Sequence, residues 1–360
     1  MLFHPTHPFN LPPLPPSFDF EDKDILRALI GPYGAIKGLD GTAVNHPNAR
    51  LLISPAILRE SVASSNIENI HTTLADALQN ELFPETERRA PDKEVLKYRD
   101  ALLAAHEAIR DRDEPIATRL IQRIQNTLIP DSSGDYRKQQ NRIANDVTGE
   151  VLYTPPAPPE VARLMGNLEK FINEPPEEIH PLLAIIIAHY QFEAIHPFSD
   201  GNGRTGRIMM VAQLKKYGLL NYPILYISGF INENRKEYYR RLLAVSAETD
   251  WKGYALFMLK GFQEQAEKAD LSLLKLAVLF EQTKKIAKTK CGSAYSIELI
   301  EAVFRNPVIT PARLAEALDI HYMTASKYLV SLAKADLLRS KRQGRYHLYI
   351  NYGLLTLLKS

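Results

Sequence analysis

A fifteen-residue apolar segment followed at once by a glycine-rich loop constrains the fold of this chain more than any other feature. Residues 181–195 read PLLAIIIAHYQFEAI, a run too long for one buried strand, so we predict a helix inside the core. The loop HPFSDGNGRTGR spans residues 196–207, and the stretch TGRIMMVAQLKKYGLL, which begins inside it, again has helical spacing. The sequence therefore predicts two core helices joined by a short polar turn.

The glycines of this loop resemble a dinucleotide-binding pattern, because Gly201, Gly203 and Gly206 are spaced as G-x-G-x-x-G. A dinucleotide fold requires a strand before the glycines, a helix after them and a βαβ unit around them. Here the preceding segment has the pattern of a helix, and no alternation of strands and helices follows. A Walker A loop is excluded as well, because the sequence contains no Gly-Lys-Ser/Thr.

Helical periodicity runs through most of the chain, so the fold class that we predict is all-α. Apolar residues recur at helical spacing over about residues 24–106, 116–129 and 159–174, and further helices follow to about residue 290. The polar stretch 141–154 predicts one short β-hairpin on this helical body. The last seventy residues predict three helices and a β-hairpin, which is the pattern of a winged helix.

Length and composition are those of an ordinary globular protein with several domains. The chain has 360 residues, 45% of them apolar, and a net charge of +2 that gives no overall sign of a nucleic-acid or membrane partner. No stretch is apolar enough for a membrane span. The single cysteine, Cys291, excludes internal disulfides and a Cys-based zinc site and fits a reducing cytoplasm, where we expect the protein. The expected domains are a proline-rich arm with a helical region (1–92), a core that carries the loop (93–245), a helical connector (246–290) and a winged helix-turn-helix (291–360).

The polar residues of the loop form a set suited to a phosphorylated ligand. Small residues in DGNG let backbone N–H groups converge where a helix begins, and such helix starts bind anions. Arg204 and Arg207 add two guanidinium groups whose geometry matches phosphate oxygens. Asp200 supplies one hard carboxylate for Mg²⁺, and His196 titrates near neutral pH and can accept a proton. Together they predict attack on a nucleotide phosphate.

The same string resembles the motif of the Fic family, HPFx[D/E]GNGRxxR, at every specified position. The resemblance extends over about residues 1–250 and includes GDYR at 134–137 and RKEYYRRL at 235–242. It implies a Fic-type helical core with a short β-hairpin flap. The matching residues are His196, Pro197, Phe198, Asp200, Gly201, Asn202, Gly203, Arg204 and Arg207.

The resemblance implies a protein adenylyltransferase, which moves AMP from ATP to a Tyr, Thr or Ser hydroxyl of a target protein or of itself and releases pyrophosphate. It implies that His196 takes the proton of the hydroxyl and that Asp200 holds Mg²⁺ or Mn²⁺. For adenine we expect Tyr238 and Tyr239, with packing of both rings into the core as the alternative. The residues expected to bind ATP are Gly201, Asn202 through its amide and side chain, Gly203, Arg204, Arg207, Tyr238 and Tyr239.

A second match to the family lies in the N-terminal region, in the hexapeptide SSNIEN. Ser64, Glu68 and Asn69 fit the inhibitory pattern [S/T]xxxE[G/N], and the resemblance implies that Glu68 pairs with Arg207. A carboxylate on this arginine removes a donor intended for the γ-phosphate and brings negative charge to a place where more must arrive. The resemblance therefore implies an autoinhibited enzyme.

The predicted hairpin is expected to act as a flap on which an extended target segment docks through backbone pairing. An ordinary surface hairpin is the alternative. The flap residues expected to contact the target are Ile143, Ala144, Asn145 and Asp146.

The predicted winged helix carries a local excess of positive charge. Residues 321–350 contain six Lys or Arg and one acidic residue, Asp336, which suits a phosphate backbone. Winged helices also dock proteins, so DNA, a protein partner and a homodimer stay open. The alternative to an adenylyltransferase is a DNA-binding transcriptional regulator whose Fic domain senses a nucleotide. The basic residues are Lys327, Lys334, Arg339, Lys341, Arg342 and Arg345.

Overall fold

The chain folds into a mostly helical body with two small antiparallel sheets, so the predicted helical fold class is confirmed. The computed structural model describes residues 3–45, 49–145 and 148–359. The helices before the glycine-rich loop are α1 (Lys23–Asn45), α2 (Ala49–Ile67), α3 (Leu74–Asn80), α4 (Ala90–Arg112), α5 (Thr118–Leu128), α6 (Pro158–Asn173) and α7 (Pro181–Ile195). Those after it are α8 (Asn202–Lys216), α9 (Ile227–Glu233), α10 (Arg235–Glu248), α11 (Trp251–Lys290), α12 (Ile297–Arg305), α13 (Pro311–Leu318), α14 (Tyr322–Lys334) and α15 (Tyr352–Lys359).

Helices α7 and α8 lie at the centre of the body. α7 is buried on nearly every side, which explains why its sequence is apolar throughout and lacks a polar stripe. It packs against α6, α8 and α11, and α8 also packs against α4 and α5. The apolar segment and the loop after it are therefore held in the core.

The N-terminal helices cover one side of α8. α2 packs against α4 and α9, and α4 runs along α8. Ile57 and Leu58 of α2 and Val95 of α4 are fully buried in this layer. The packing brings the C-terminal end of α2 to the first two turns of α8.

The longest helix, α11, has 40 residues and joins the core to the C-terminal helices. It packs along α1 over much of its length and also contacts α7, α9 and α10, and further on α12 and α15. Despite this length, none of the helices in the described ranges has the apolar stretch that crossing a membrane requires.

The predicted hairpin is present and consists of β1 (Ile143–Ala144) and β2 (Val151–Tyr153), which pair antiparallel. The proline-rich N-terminal arm packs beside it, because the Phe9 N–H donates to the Thr154 carbonyl over 2.9 Å. The rings of Phe3 and Phe9 also lie against Tyr153. The arm therefore supports the outer side of the hairpin.

The C-terminal region combines α12, α13 and α14 with a three-stranded antiparallel sheet. Its strands are β3 (Val308–Ile309), β4 (Arg339–Gln343) and β5 (Tyr346–Ile350), in the order β3-β5-β4. The sequence predicted the three helices and the β4–β5 hairpin but neither β3 nor α15. The hairpin tip bends back onto the N-terminal helices, where Arg345 Nη2 lies 2.6 Å from Glu87 Oε1.

Candidate active site

The glycine-rich loop reverses the chain between α7 and α8 by two residues in the left-handed region. His196 ends α7 with a φ of 49°, and Gly201 precedes α8 with a φ of 78°. Residues that carry a side chain rarely adopt a φ of 78°, which explains the glycine at position 201. α8 starts at Asn202, inside the glycine-rich loop and three residues before the stretch TGRIMMVAQLKKYGLL whose spacing predicted a helix. A helix start with small residues thus lies directly beside His196.

The side chain of Asn202 holds the loop rather than facing outward. Its Oδ1 accepts from the Phe198 N–H over 2.9 Å, and its Nδ2 donates to the Phe198 carbonyl over 2.8 Å. The prediction that this side chain binds an anion is therefore corrected, because both ends of the amide are committed to backbone. The N–H groups of Asn202 and Gly203 belong to the first turn of α8, where no carbonyl of the helix is available to them.

Arg137 is a buried brace of the loop that the sequence analysis did not assign to the site. Its Nε donates to the His196 carbonyl over 2.9 Å, and its Nη2 donates to the Ile195 and Pro156 carbonyls. Its N–H also donates to the Pro197 carbonyl over 2.8 Å. The GDYR match was the available signal, but spacing alone does not reveal which carbonyls an arginine reaches.

His196 is positioned to accept a proton. Its Nδ1 lies 3.3 Å from the Glu193 carbonyl, which can only accept, so we assign the proton to Nδ1 and the lone pair to Nε2. Burial lowers the pKa of His196 to about 4, although the contact with the Glu193 carbonyl opposes this shift. The imidazole is therefore neutral at physiological pH.

Asp200 lies on the exposed side of the loop. Its Oδ1 accepts from the Gly201 N–H over 2.6 Å, which fixes the carboxylate beside the start of α8. The described residues contain no group of three His, Cys, Asp or Glu side chains that could hold a metal by themselves. A divalent ion here would need most of its ligands from elsewhere, as Mg²⁺ does when phosphates supply them.

Arg207 is fully buried and bound by the end of α2. Its Nε donates to Ser64 Oγ over 2.8 Å, and its Nη2 lies 2.7 Å from Glu68 Oε1. The same Nη2 donates to the Ser64 carbonyl over 3.1 Å. Glu68 itself lies in the turn just after α2, and Asn69 follows with a φ of 60°, a left-handed conformation that asparagine tolerates. Three contacts, two from Ser64 in the last turn of α2 and one from Glu68 just after it, therefore join this region to the second turn of α8.

The Glu68 carboxylate also occupies the space over the first turn of α8. A Cβ on Gly203 would collide with Glu68 Oε1 and would lie 2.9 Å from Arg207 Nη1, so only glycine permits this approach. Burial raises the pKa of Glu68, but attraction to Arg207, with smaller contributions from Arg204 and His196, outweighs it and lowers the pKa overall. Glu68 is thus an anion at a helix start.

Arg204 also lies near Glu68 but has a different ion-pair partner. Its Nη1 lies 2.8 Å from Glu94 Oε2 on α4, and its side chain is almost fully buried. Glu94 is not among the predicted site residues, since nothing in its local sequence pattern indicates which residue of α8 it faces.

The two tyrosines expected at the adenine differ in exposure. Tyr238 is buried, and its hydroxyl lies 2.8 Å from His189 Nε2, so it follows the packing alternative and is corrected as a base-stacking residue. Tyr239 keeps an exposed ring, 44% accessible, with the Arg235 guanidinium 5.9 Å from its centroid. Arg235 also donates to Asn69 Oδ1 over 3.0 Å, which connects this tyrosine to the end of α2.

The predicted flap residues lie along β1 and its turn. Ile143 is half-buried opposite Tyr153, whereas Ala144 is exposed and pairs with Val151. Asn145 begins the turn, and its N–H donates to the Glu150 carbonyl over 2.8 Å. Asp146 lies outside the described residues. Just before β1, Asn141 Nδ2 donates to the Phe198 carbonyl over 2.9 Å, so the hairpin is tied to the loop.

Three sequence models of known protein families match parts of this chain. The sequence model of the Fic/DOC family matches residues 115–214, and that of the Fic/DOC family N-terminal region matches residues 26–107. A third model, the C-terminal domain of SoFic-like protein adenylyltransferases, matches residues 279–354. The chain belongs to the Fic/DOC family. The two Fic/DOC matches contain the loop and Glu68, respectively.

Relatives of this Fic/DOC chain are similar over part of their length. Protein adenylyltransferase Fic of Drosophila ananassae is 31% identical over 165 residues, and that of Drosophila melanogaster is 30% identical over 165 residues. Each match covers 46% of this chain and 30% of the relative, so the chain spans less than a third of the length of these curated relatives.

Solved structures share the fold more widely. A Fic family protein from Desulfovibrio desulfuricans has a TM-score of 0.58 at 22% identity and covers 94% of this chain and 98% of its own. A Fic domain containing signalling protein from Bacteroides thetaiotaomicron has a TM-score of 0.55 at 20% identity, over 71% and 97% of the two chains.

Proposed function

We propose that this chain is a protein adenylyltransferase that transfers AMP from ATP to a hydroxyl of a target protein and is inhibited by its own Glu68. The observation that carries the proposal is a convergence. A neutral imidazole, a helix start and two arginines all lie near one carboxylate, that of Glu68. Such a set of donors suits a negatively charged polyphosphate better than any apolar ligand.

The reaction that we propose begins with a proton transfer to His196. Nε2 accepts the proton of the target hydroxyl as its oxygen forms a bond to the α-phosphorus of ATP. The bond between the α-phosphorus and the bridging oxygen breaks, and pyrophosphate leaves with the electron pair. The hydrogen bond of Nδ1 to the Glu193 carbonyl keeps the imidazole oriented for this transfer.

The phosphates are held by the first two turns of α8 in this proposal. The N–H groups of Asn202 and Gly203 bind α-phosphate oxygens, since helix starts favour anions. Arg204 and Arg207 bind the β- and γ-phosphates, with Gly201 allowing the turn that aligns them. Removing one such donor commonly lowers the rate by about 10²–10³-fold.

A divalent metal fits the residues present if it is shared with the phosphates. Asp200 is the carboxylate that would hold it, being exposed and next to the start of α8. When bound, Mg²⁺ or Mn²⁺ would offset the charge that grows on the departing pyrophosphate.

Adenine is assigned to the face of Tyr239 in this proposal. Its ring is exposed near Glu68 and Arg207, whereas Tyr238 supports it from the core with ring centroids 5.3 Å apart. Stacking on an aromatic ring tolerates any base, so this contact adds affinity and leaves selection among nucleotides to other groups.

Autoinhibition follows from where the Glu68 carboxylate lies. It binds the guanidinium that the γ-phosphate needs and places a negative charge over the first turn of α8. ATP would therefore bind with its α-phosphate out of line, or not at all, until the turn after α2 moves. A rise of only about 1.4 kcal/mol in the activation free energy lowers the rate tenfold.

The hairpin β1–β2 is the proposed docking site for the target. β1 has an exposed residue at Ala144, and the hairpin is tied to the catalytic loop by Asn141. A target segment that pairs with β1 would bring its hydroxyl to His196 with a defined register.

The C-terminal region is proposed to be a winged helix that serves as an interaction module. β4 exposes Arg339, Lys341 and Arg342, which keeps DNA as the alternative partner. Arg345 at the tip is engaged by Glu87 and would have to leave it to bind DNA. A gel-shift assay across salt concentrations tests this alternative, and absence of binding at low salt removes it.

The reaction type is tested with labelled ATP. The Glu68→Gly variant is incubated with a protein extract and ATP that carries the label on either the α- or the γ-phosphate. We expect label from the α-position alone on protein, including on the variant itself if it modifies itself. Transfer of γ-label would instead indicate a kinase and overturn the proposal.

A further inference from the structure

The two arginines of the loop are engaged in opposite ways. A guanidinium grips an oxyanion side-on through Nε and Nη2, and on Arg207 both of these groups are taken by Ser64 and Glu68. On Arg204 the partner Glu94 holds Nη1 instead. Arg204 Nε is buried and has no hydrogen-bond partner among the described residues.

An unpartnered buried N–H is costly, and native proteins rarely leave one without a reason. Arg204 lies close enough to Glu68 that its charge lowers the pKa of that carboxyl, so its guanidinium belongs to the proposed phosphate cleft. A ligand oxygen in the cleft would give the Nε of Arg204 the partner that it lacks.

The carboxylate of Glu94 is held in one orientation by two hydrogen bonds. Its Oε2 accepts from Arg204, and its Oε1 accepts from Lys97 Nζ over 2.8 Å, one turn further along α4. Burial raises the pKa of Glu94, but the hydrogen bonds from Lys97 and Arg204 outweigh it and lower the pKa overall. The carboxylate is therefore ionised and fixed from two sides.

The two glutamates also differ in their attachment. Glu68 lies in the turn just after the end of α2, outside any helix. Glu94 lies inside α4, which runs along α8. Release of the inhibitory turn would therefore leave the Glu94–Arg204 pair in place.

We propose that Glu94 is a positioning residue for the phosphates, which presents the Nε edge of Arg204 to the β-phosphate of ATP. Glu94 thus acts in the opposite sense to Glu68, although both are glutamates paired with an arginine of the same loop. This inference rests on the proposed function for the identity of the ligand.

The test uses the full chain with Glu68→Gly, to which Glu94→Ala, Glu94→Gln or Glu81→Gln is added, and the two Glu94 variants are also made in the chain that retains Glu68. Glu81→Gln is the matched control, because Glu81 lies 2.6 Å from Arg99 of α4 in a similarly half-buried ion pair away from the loop. Binding of ATP and of AMP is measured by calorimetry, transfer is measured with α-labelled ATP, and thermal unfolding reports folding of each variant.

We expect Glu94→Ala to weaken ATP binding and raise the KM for ATP about tenfold, while AMP binding changes little. Glu94→Gln should recover most of the loss, because its amide oxygen still accepts from Arg204 Nη1. This variant also keeps the test usable if Glu94→Ala impairs folding. Glu81→Gln should match the parent in both measurements.

Three results would overturn the inference. Faster transfer after Glu94→Ala or Glu94→Gln in the chain that retains Glu68 would make Glu94 a second inhibitor. A KM for ATP after Glu94→Ala that equals the KM after Glu81→Gln would make the pair merely structural, and so would equal loss of AMP and ATP binding. If no variant transfers AMP but ATP binding still depends on Glu94, the inference stands and the proposed function fails.

Discussion

The Nη2 atom of Arg207 lies 2.7 Å from the Glu68 carboxylate, and Ser64 completes the contact from one turn earlier on the chain. All three side chains meet at the start of α8, where the proposed phosphates bind. Inhibition would therefore act by occupation of the cleft itself, and no distant conformational change needs to be invoked. Each contact in this group has a separable effect that can be measured.

Ser64→Ala should relieve inhibition in part. The substitution removes the hydrogen bond from Arg207 Nε but leaves the carboxylate of Glu68 in place. We expect AMP transfer about two- to tenfold above that of the wild type, the value of one hydrogen bond. Ser65→Ala is the control, because Ser65 Oγ is buried without a hydrogen-bond partner among the described residues. Equal rates of AMP transfer for the two variants would contradict a role of Ser64 in inhibition.

Arg137→Lys should loosen the catalytic loop. Lysine cannot reach the several carbonyls that the guanidinium binds, so buried acceptors beside His196 lose their donors. We expect the free energy of unfolding in urea to fall by about 2–4 kcal/mol. Arg142→Lys, at an exposed position nearby, should change it by less than about 0.5 kcal/mol. Similar stabilities of the two variants would show that Arg137 does not brace the loop.

Glu60 should make stability depend on pH. It is fully buried on α2, one turn before Ser64, where the Tyr98 hydroxyl donates to it over 2.9 Å. Burial raises its pKa from 4.5 to about 7, against opposing hydrogen bonds from Ser228 and Tyr98. A raised pKa favours the protonated folded state, so this stability is complete below pH 4.5 and is lost as pH rises through about 7.

Glu60→Gln carries no charge at any pH and should remove this dependence. The free energy of unfolding of the variant minus that of the wild type should increase between pH 4.5 and 7, by on the order of 3 kcal/mol. Glu193, whose pKa burial also raises to about 7, contributes to both proteins and cancels in the difference. Urea unfolding at several pH values measures it, and parallel curves would contradict the assignment.

Ala144→Pro should separate target docking from nucleotide binding. Proline removes one backbone N–H of β1 and cannot take part in strand pairing through it. We expect modification of the target to be lost while ATP binding is unchanged. Ala144→Ser keeps the N–H at the same exposed position and should behave like the wild type. If the proline variant still modifies the target, the target does not dock on the hairpin β1–β2.

The sequence predicted the framework of the site well, because that framework depends on local patterns. The apolar run before His196 had to be a core helix, and the glycines after it had to form a turn. Such features are set by residues close together in the chain.

Contacts between distant segments were not predictable in the same way. Tyr238 and Tyr239 are neighbours in sequence, yet one ring is buried and the other exposed, because the packing of α10 on α11, α9 and α7 decides which side faces inward. The Asn202 side chain faces the loop, not the ligand, and Glu94 pairs with Arg204 across 110 positions of sequence. Periodicity shows which residues share a face but not what lies opposite that face.

The most direct measurement compares the rate of AMP transfer from α-labelled ATP for the wild type, Glu68→Gly and Glu68→Gly with His196→Ala. We expect Glu68→Gly to be at least about tenfold faster than the wild type, and the addition of His196→Ala to abolish transfer. Equal rates for the wild type and Glu68→Gly would contradict inhibition by occupation of the cleft. Transfer that persists without His196 would contradict the proposed chemistry.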